Sequence, residues 1–88
     1  MNIKKELQKA FPHHRIHHAE KTLFLDEKYF IFLDKRRKLC LQLHSDSYLV
    51  YTLNKETLFP FPPFTKAEKA IDFMRWIYEY TIWLKSSK

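Results

Sequence analysis

Residues 22–53 read TLFLDEKYFIFLDKRRKLCLQLHSDSYLVYTL, and their pattern indicates most of the architecture. Short apolar runs alternate with polar, charged turns, a pattern typical of antiparallel strands joined by short loops. Every second residue from Leu39 to Leu43 is leucine and the residues between them are more polar, so one face of this strand faces a core. The pattern predicts strands at about 22–26, 29–34, 39–44 and 48–53.

Helical patterns stand on either side of these strands. Residues 2–11 place apolar side chains at helical spacing, and Pro12 ends that helix. Residues 56–64 combine three prolines with phenylalanines, which predicts an extended connector and excludes a central strand. A long helix follows over 66–85. We therefore expect a single small basic α+β domain over 1–88, with an N-terminal helix, an antiparallel sheet of three to four strands, and a long C-terminal helix packed on one face of the sheet.

The composition excludes several classes of enzyme. None of the 88 residues is glycine, so glycine-dependent phosphate loops, dinucleotide fingerprints and nucleophile elbows are impossible. Cys40 alternates with core leucines, which indicates an inert, buried or half-buried thiol, and no pair of carboxylates is placed for acid–base chemistry. We expect a protein that is not an enzyme, with no cofactor and no small-molecule substrate.

The charge of the chain favours an anionic partner. Sixteen Lys and Arg exceed ten Asp and Glu, giving a net charge of +6, which suits a nucleic acid or an acidic protein surface. Twelve of the sixteen are Lys, which favours contact with a phosphate backbone over reading of bases. The candidate contacts are Lys35, Arg36, Arg37 and Lys38 in a predicted turn, with Lys4, Lys5 and Lys9 of the first helix. The alternative for the turn is a solvated hairpin whose charges discourage aggregation.

The C-terminal helix carries two adjacent apolar stripes, and only one of them is needed to face the sheet. The second stripe consists of Phe73, Trp76, Tyr80 and Trp83. In one interpretation, the phenylalanines and prolines of the connector fold over this stripe. In the other, it stays exposed and binds a second copy or a host protein, since Trp and Tyr are enriched in interface hot spots.

A histidine-rich run follows Pro12. His13 and His17, and likewise His14 and His18, are four residues apart, which on a helix is the spacing of metal ligands. No glutamate lies between them as in the HExxH motif, and an extended segment would separate each pair. A surface run that gains charge as the pH falls through the imidazole range is the alternative that we favour.

The chain lacks signals for a membrane or for secretion. Its apolar runs fall short of the 18 or so residues of a membrane span, and its first residues are charged. A lone cysteine closes no internal disulfide, as expected in a reducing compartment. We expect a cytoplasmic protein without membrane contact.

These observations favour a non-enzymatic binding protein that contacts nucleic acid or a nucleoprotein complex through its basic turn and first helix. The alternative is an inhibitor or adaptor of the phage or mobile-element type, which binds protein through the aromatic stripe. A metal-binding protein built on the four histidines is the third hypothesis.

Overall fold

A computed structural model describes residues 2–54 and 57–86 of the chain. Its elements are helix α1 (Ile3–Ala10), strands β1 (His17–Ala19), β2 (Lys28–Phe32), β3 (Arg37–His44), β4 (Ser47–Asn54) and β5 (Thr57–Pro60), and helix α2 (Ala67–Ser86). The strands form one antiparallel sheet in the order β1-β2-β3-β4-β5. The expected α+β architecture is therefore confirmed, with one strand more than the upper number predicted.

The core lies between one face of the sheet and α2, with α1 packed against α2. Tyr29 and Ile31 of β2, the first two leucines of the predicted alternation in β3, and Val50 of β4 all point to this side. The buried residues of this core are Leu7, Phe11, Ile16, Tyr29, Ile31, Leu39, Leu41, Val50, Ala70, Ile71, Met74 and Ile77. The leucine alternation thus identifies the covered face of the sheet correctly.

Helix α1 begins and ends with local hydrogen bonds. The Asn2 side chain accepts from the Lys5 backbone N–H, and the Phe11 N–H donates to the Leu7 carbonyl. Across the helix pair, Arg75 Nη1 donates to the Ala10 carbonyl over 3.0 Å, which satisfies a carbonyl at the end of α1. This contact ties the shorter helix to the longer one.

The predicted strand at 22–26 is wrong. The Thr22 hydroxyl accepts from the backbone N–H groups of Phe24 and Leu25, and the Thr22 N–H donates to the Leu25 carbonyl, so this segment closes on itself as a turn. Such side-chain bonds compete directly with pairing in a sheet. The outer strand beside β2 is instead His17–Ala19. The turn leaves Leu23 and Phe24 90% and 89% exposed.

The proline-rich connector is extended, as predicted, but its first part joins the sheet as the edge strand β5. Pro60 is tolerated there because an edge strand has one side without pairing partners. Beyond it, Phe64 forms an isolated antiparallel bridge with Tyr48. The connector therefore extends the sheet before the chain enters α2.

No helix among the described residues is long and apolar enough to cross a membrane.

Candidate nucleic-acid interface

The face of the sheet turned away from α2, here called the open face, presents a row of side chains across all five strands. The register places His17 opposite Phe30, Phe30 opposite Cys40, Cys40 opposite Tyr51, and Tyr51 opposite Pro60. Because directly paired residues point to the same side of a sheet, these five side chains share the open face.

A ring cluster occupies the β1–β2 end of the open face. The rings of His17 and Phe30 are stacked with centroids 4.9 Å apart, and Phe32 meets His17 edge-on at 5.2 Å. Lys38 on the neighbouring strand places its ammonium 4.9 Å from the centre of Phe30 and 5.6 Å from that of Phe32. Phe32 is 43% exposed. The cluster therefore offers flat apolar surface beside a positive charge.

The described strands contain basic residues and no acidic ones. None of the strand residues that the structure describes is Asp or Glu, whereas Lys28, Arg37 and Lys38 are basic. Lys28 and Lys38 lie on the open face because they pair with Gln42 and Phe32 of that face. Acids of α2, among them the exposed Glu68 and Asp72, lie on the helical side of the molecule. Asp26, which precedes β2, also reaches the open face, where its carboxylate accepts from Gln42 Nε2 and lies 2.6 Å from His44 Nδ1.

A groove extends the ring cluster toward α1. It has a volume of about 630 Å³, and its walls include Lys4 and Gln8 of α1, Arg15, and the rings of His17 and Phe30. Lys4 therefore lines the same groove as Phe30, the ring that lies beside the Lys38 ammonium. The first helix was expected as a second contact beside the basic turn, and of these residues Lys4 and Lys38 lie near the ring cluster. Their role in binding stays a prediction.

The other two lysines of α1 are placed differently. Lys9 lies 3.5 Å from Glu6 and borders a cleft together with Glu68 and Asp72, so its surroundings are acidic. Lys5 is exposed on the first turn of the helix. Of the three, only Lys4 borders the groove beside the ring cluster.

The basic turn between β2 and β3 is organised by Asp34. One carboxylate oxygen accepts from the backbone N–H groups of Arg36 and Arg37, each over 2.8 Å, and the other accepts from Arg37 Nε over 3.0 Å. These bonds, the one from the Arg36 N–H first among them, lower the pKa of Asp34 to about 2. The Arg37 side chain is thus bonded to Asp34, whereas Lys35 and Arg36 are exposed at the turn. Of the four predicted contacts, Lys35 and Arg36 thus lie at the tip of the turn, and Lys38 lies on the open face.

The histidines do not form the helical pairs that a metal site would need. Residues 13 and 14 lie in a turn, and His17 and His18 belong to β1, where neighbouring side chains point to opposite faces. His14 packs edge-on against Tyr78, and His18 stacks on Tyr29 with Nε2 3.0 Å from Glu27 Oε2. Across 2–54 and 57–86, no group of three or more His, Cys, Asp or Glu could hold a metal ion.

The aromatic stripe of α2 is covered at one end only. Phe61 and Phe64 of the connector pack on Phe73, with ring centroids 4.9 and 5.3 Å apart. Beyond Phe73 the rings of Trp76, Tyr80 and Trp83 continue as a stack, with centroid spacings of 5.4 and 5.9 Å, and they are 58%, 47% and 61% exposed. The connector therefore covers Phe73, and the stripe from Trp76 onward is exposed, while its binding of a partner stays a prediction.

Cys40 lies at the centre of the open face, yet it is buried. Burial raises the pKa of this thiol, while the Tyr51 hydroxyl and the charges of Lys28 and Lys38 act in the opposite direction. A buried thiol with a raised pKa is a poor nucleophile. The inert thiol expected from the sequence fits this environment.

Sequence reasoning missed most of the ring cluster. Phe30 and Phe32 enter the expectations from sequence only as members of the strand at 29–34, and Arg15 and Lys28 do not enter them as contacts. The alternation over 28–32, in which Lys, Phe and Phe share one side, is a signal that could have found three of these residues. Their meeting with His17 depends on the register of β1, which the sequence does not reveal.

Comparisons of this chain with protein-family models, with curated proteins and with solved structures find no match.

Proposed function

We propose that this protein binds single-stranded nucleic acid on its open face, in the cytoplasm and without catalysing a reaction. The observation that carries the proposal is the ring cluster of His17, Phe30 and Phe32 with the Lys38 ammonium beside it. Bases that are free of a duplex stack on aromatic side chains, and each such contact contributes about 1–3 kcal/mol. A sheet surface with exposed rings is suited to this kind of binding.

Phosphate contacts complete the surface. Lys4 and Arg15 line the groove beside the rings, and Lys35 and Arg36 extend from the turn at the end of β2. Together with Lys38 they supply five cations around one aromatic surface. For single strands, the logarithm of affinity falls with the logarithm of salt concentration by about 0.7 per neutralised phosphate, so five contacts predict a slope of about −3.5.

Little sequence preference is expected. The amide group that could read a base on this face belongs to Gln42, and both of its ends are occupied. Its Oε1 accepts from the Tyr51 hydroxyl, and its Nε2 donates to Asp26 Oδ2. Stacking without free hydrogen-bonding groups tolerates every base, because every base has an aromatic face.

Fluorescence anisotropy with labelled 12-nucleotide single strands of RNA and DNA, and with the matching duplexes, tests the proposal. Phe30→Ala should weaken binding of single strands about tenfold or more. Phe59→Ala is the control, because Phe59 is a half-exposed phenylalanine that pairs with Thr52 on the other side of the sheet. Raising salt from 50 to 200 mM should weaken wild-type binding about a hundredfold. Equal affinities for wild type and Phe30→Ala would exclude the open face.

The exposed part of the aromatic stripe supports a second function, that of an adaptor or inhibitor which binds protein. Trp76, Tyr80 and Trp83 form a stacked apolar surface on a helix, and Trp and Tyr are the residue types that most often dominate binding energy at interfaces. Sedimentation of wild type and Trp76→Ala over a range of concentrations tests self-association, with Ile82→Ala as the control on the same helix. A monomeric wild type at all concentrations would restrict this function to a foreign partner.

A further inference from the structure

We infer that the groove between β4 and β5 on the open face is a second base subsite, so that a single strand crosses the sheet from β2 to β5. This inference rests on the proposed function. The groove has a volume of about 450 Å³, and its lining includes Leu49, Tyr51, Leu53, Leu58 and Pro60. This volume lies within the range of about 300–1,000 Å³ that is typical of small-molecule sites.

The groove continues the surface that the ring cluster begins. Phe30 and Tyr51 belong to the same row across the sheet, and only Cys40 stands between them. Neighbouring strands are about 4.8 Å apart, so Phe30 and Tyr51 are separated by about 10 Å. The intervening side chain is small and buried, so no bulky residue of the row interrupts the surface between them.

The lining selects for an apolar, planar group. Leu58 is 52% exposed at the edge of the groove, and the neighbouring leucines of β4 present only hydrocarbon. The Tyr51 hydroxyl is held by Gln42, so its ring, and not a free polar group, is available for contact. Burial, with Cys40 as the next cause, raises the pKa of Tyr51 to about 12, and the phenol therefore stays neutral at physiological pH.

Charge identifies the occupant as part of a polyanion. Lys28 and Lys38 stand on the open face, and Lys38 lies between the ring cluster and the groove because it pairs with Phe32 and Leu53. The Asp26 carboxylate also reaches this face, where it accepts from Gln42 Nε2 and lies 2.6 Å from His44 Nδ1. A neutral apolar ligand would gain nothing from these two ammonium groups. A nucleotide strand uses both features, because its bases meet the apolar surfaces while its phosphates lie near the lysines.

A length series of oligonucleotides tests this inference. Oligothymidylate and oligouridylate of two to eight nucleotides compete with a labelled 12-nucleotide strand for wild type, Leu58→Ser and Leu58→Met. We expect wild-type affinity to rise with length. Leu58→Ser should bind the eight-nucleotide strand about fivefold more weakly and the dinucleotide equally well, and Leu58→Met, which keeps the apolar side chain, should follow wild type. Thermal unfolding checks that both variants fold. The oligothymidylate and oligouridylate series together show whether DNA and RNA use the same subsite.

The outcomes separate the subsite from the proposed function. Should Leu58→Ser match wild type at every length while Phe30→Ala loses binding, the second subsite is wrong and the function stands. Should wild type bind no oligonucleotide, both are overturned. A defect of Leu58→Ser that is equally large for the dinucleotide would also overturn the inference, because it would place Leu58 in the first subsite.

Discussion

His17 and Phe30 lie directly opposite each other on neighbouring strands, and their rings are nearly parallel, with 9° between the planes. This pair joins the short outer strand to the rest of the sheet through side chains as well as through the backbone. It also forms the base of the surface on which we propose that nucleic acid stacks.

A double-mutant cycle with His17→Ala and Phe30→Leu should measure the energy of this pair. Aromatic pairs contribute about 0.5–1.5 kcal/mol beyond the area they bury, so we expect a coupling energy in this range from denaturant unfolding. Additive effects of the two substitutions would show that the rings do not interact in solution. The same two substitutions in the binding assay should each weaken affinity for single strands.

Asp34→Ala should destabilise the protein by about 1 kcal/mol at neutral pH, since the partly exposed carboxylate accepts from two backbone N–H groups and from Arg37. The pKa of Asp34 falls from 3.8 to about 2 on folding. The stabilisation is therefore present above about pH 4 and is lost as the pH falls toward 2. Urea unfolding at pH 7, 4 and 2.5 should show the difference between wild type and variant shrinking. Asp46→Ala, in the next hairpin turn, is the control, and a difference that is constant with pH would contradict this account.

Protonation of His14 should destabilise the fold. Burial lowers the pKa of His14 below 6.5, and the charges of Arg75 and His13 lower it further. The unfolded chain then binds this proton more readily than the folded chain, so stability is lost as the pH falls through 6.5. His14→Phe keeps an aromatic ring against Phe11 and Tyr78 without the titrating group. Between pH 7.5 and 5, wild type should lose more thermal stability than this variant, and equal losses would argue against a neutral His14 in the folded protein.

Ser45→Gly should stabilise the protein. Ser45, in the turn between β3 and β4, has φ of 50° and is the one residue with a positive φ among those described. A side chain makes this left-handed region unfavourable by about 1–2 kcal/mol, which glycine avoids at a smaller entropic cost. We expect a gain of about 1 kcal/mol, or an increase in Tm of about 4–8 °C. Ser47→Gly, at the first position of β4, should lower the Tm, and a decrease for both variants would contradict the expectation.

Local patterns predicted the central part of the fold well. The alternation from Leu39 to Leu43 and the helical period after residue 66 arise because one side of each element is buried. Burial of one side determines which residues close together in the sequence are apolar, so the sequence reveals it. The strands at 39–44 and 48–53 and the helix at 66–85 accordingly match β3, β4 and α2 within two residues at each end.

The outer parts of the sheet could not be predicted in this way. β1 is three residues long and contains two histidines, so it carries no alternation that distinguishes it from a loop. Residues 22–26 are more apolar than β1, yet the Thr22 hydroxyl closes them into a turn. The candidate site depends on these choices, because His17 meets Phe30 only when β1, and not 22–26, pairs with β2.

The two margins of the sheet offer little to a further strand. On one side, β1 has only three residues with backbone groups to share, and on the other, Pro60 lacks the N–H that a neighbouring chain would need. A protein with many exposed aromatic rings can form fibrils when strands of other copies pair with the edges of its sheet. The short strand β1 and the proline in β5 oppose such pairing. The described edges of the sheet therefore give a second copy few backbone groups with which to pair.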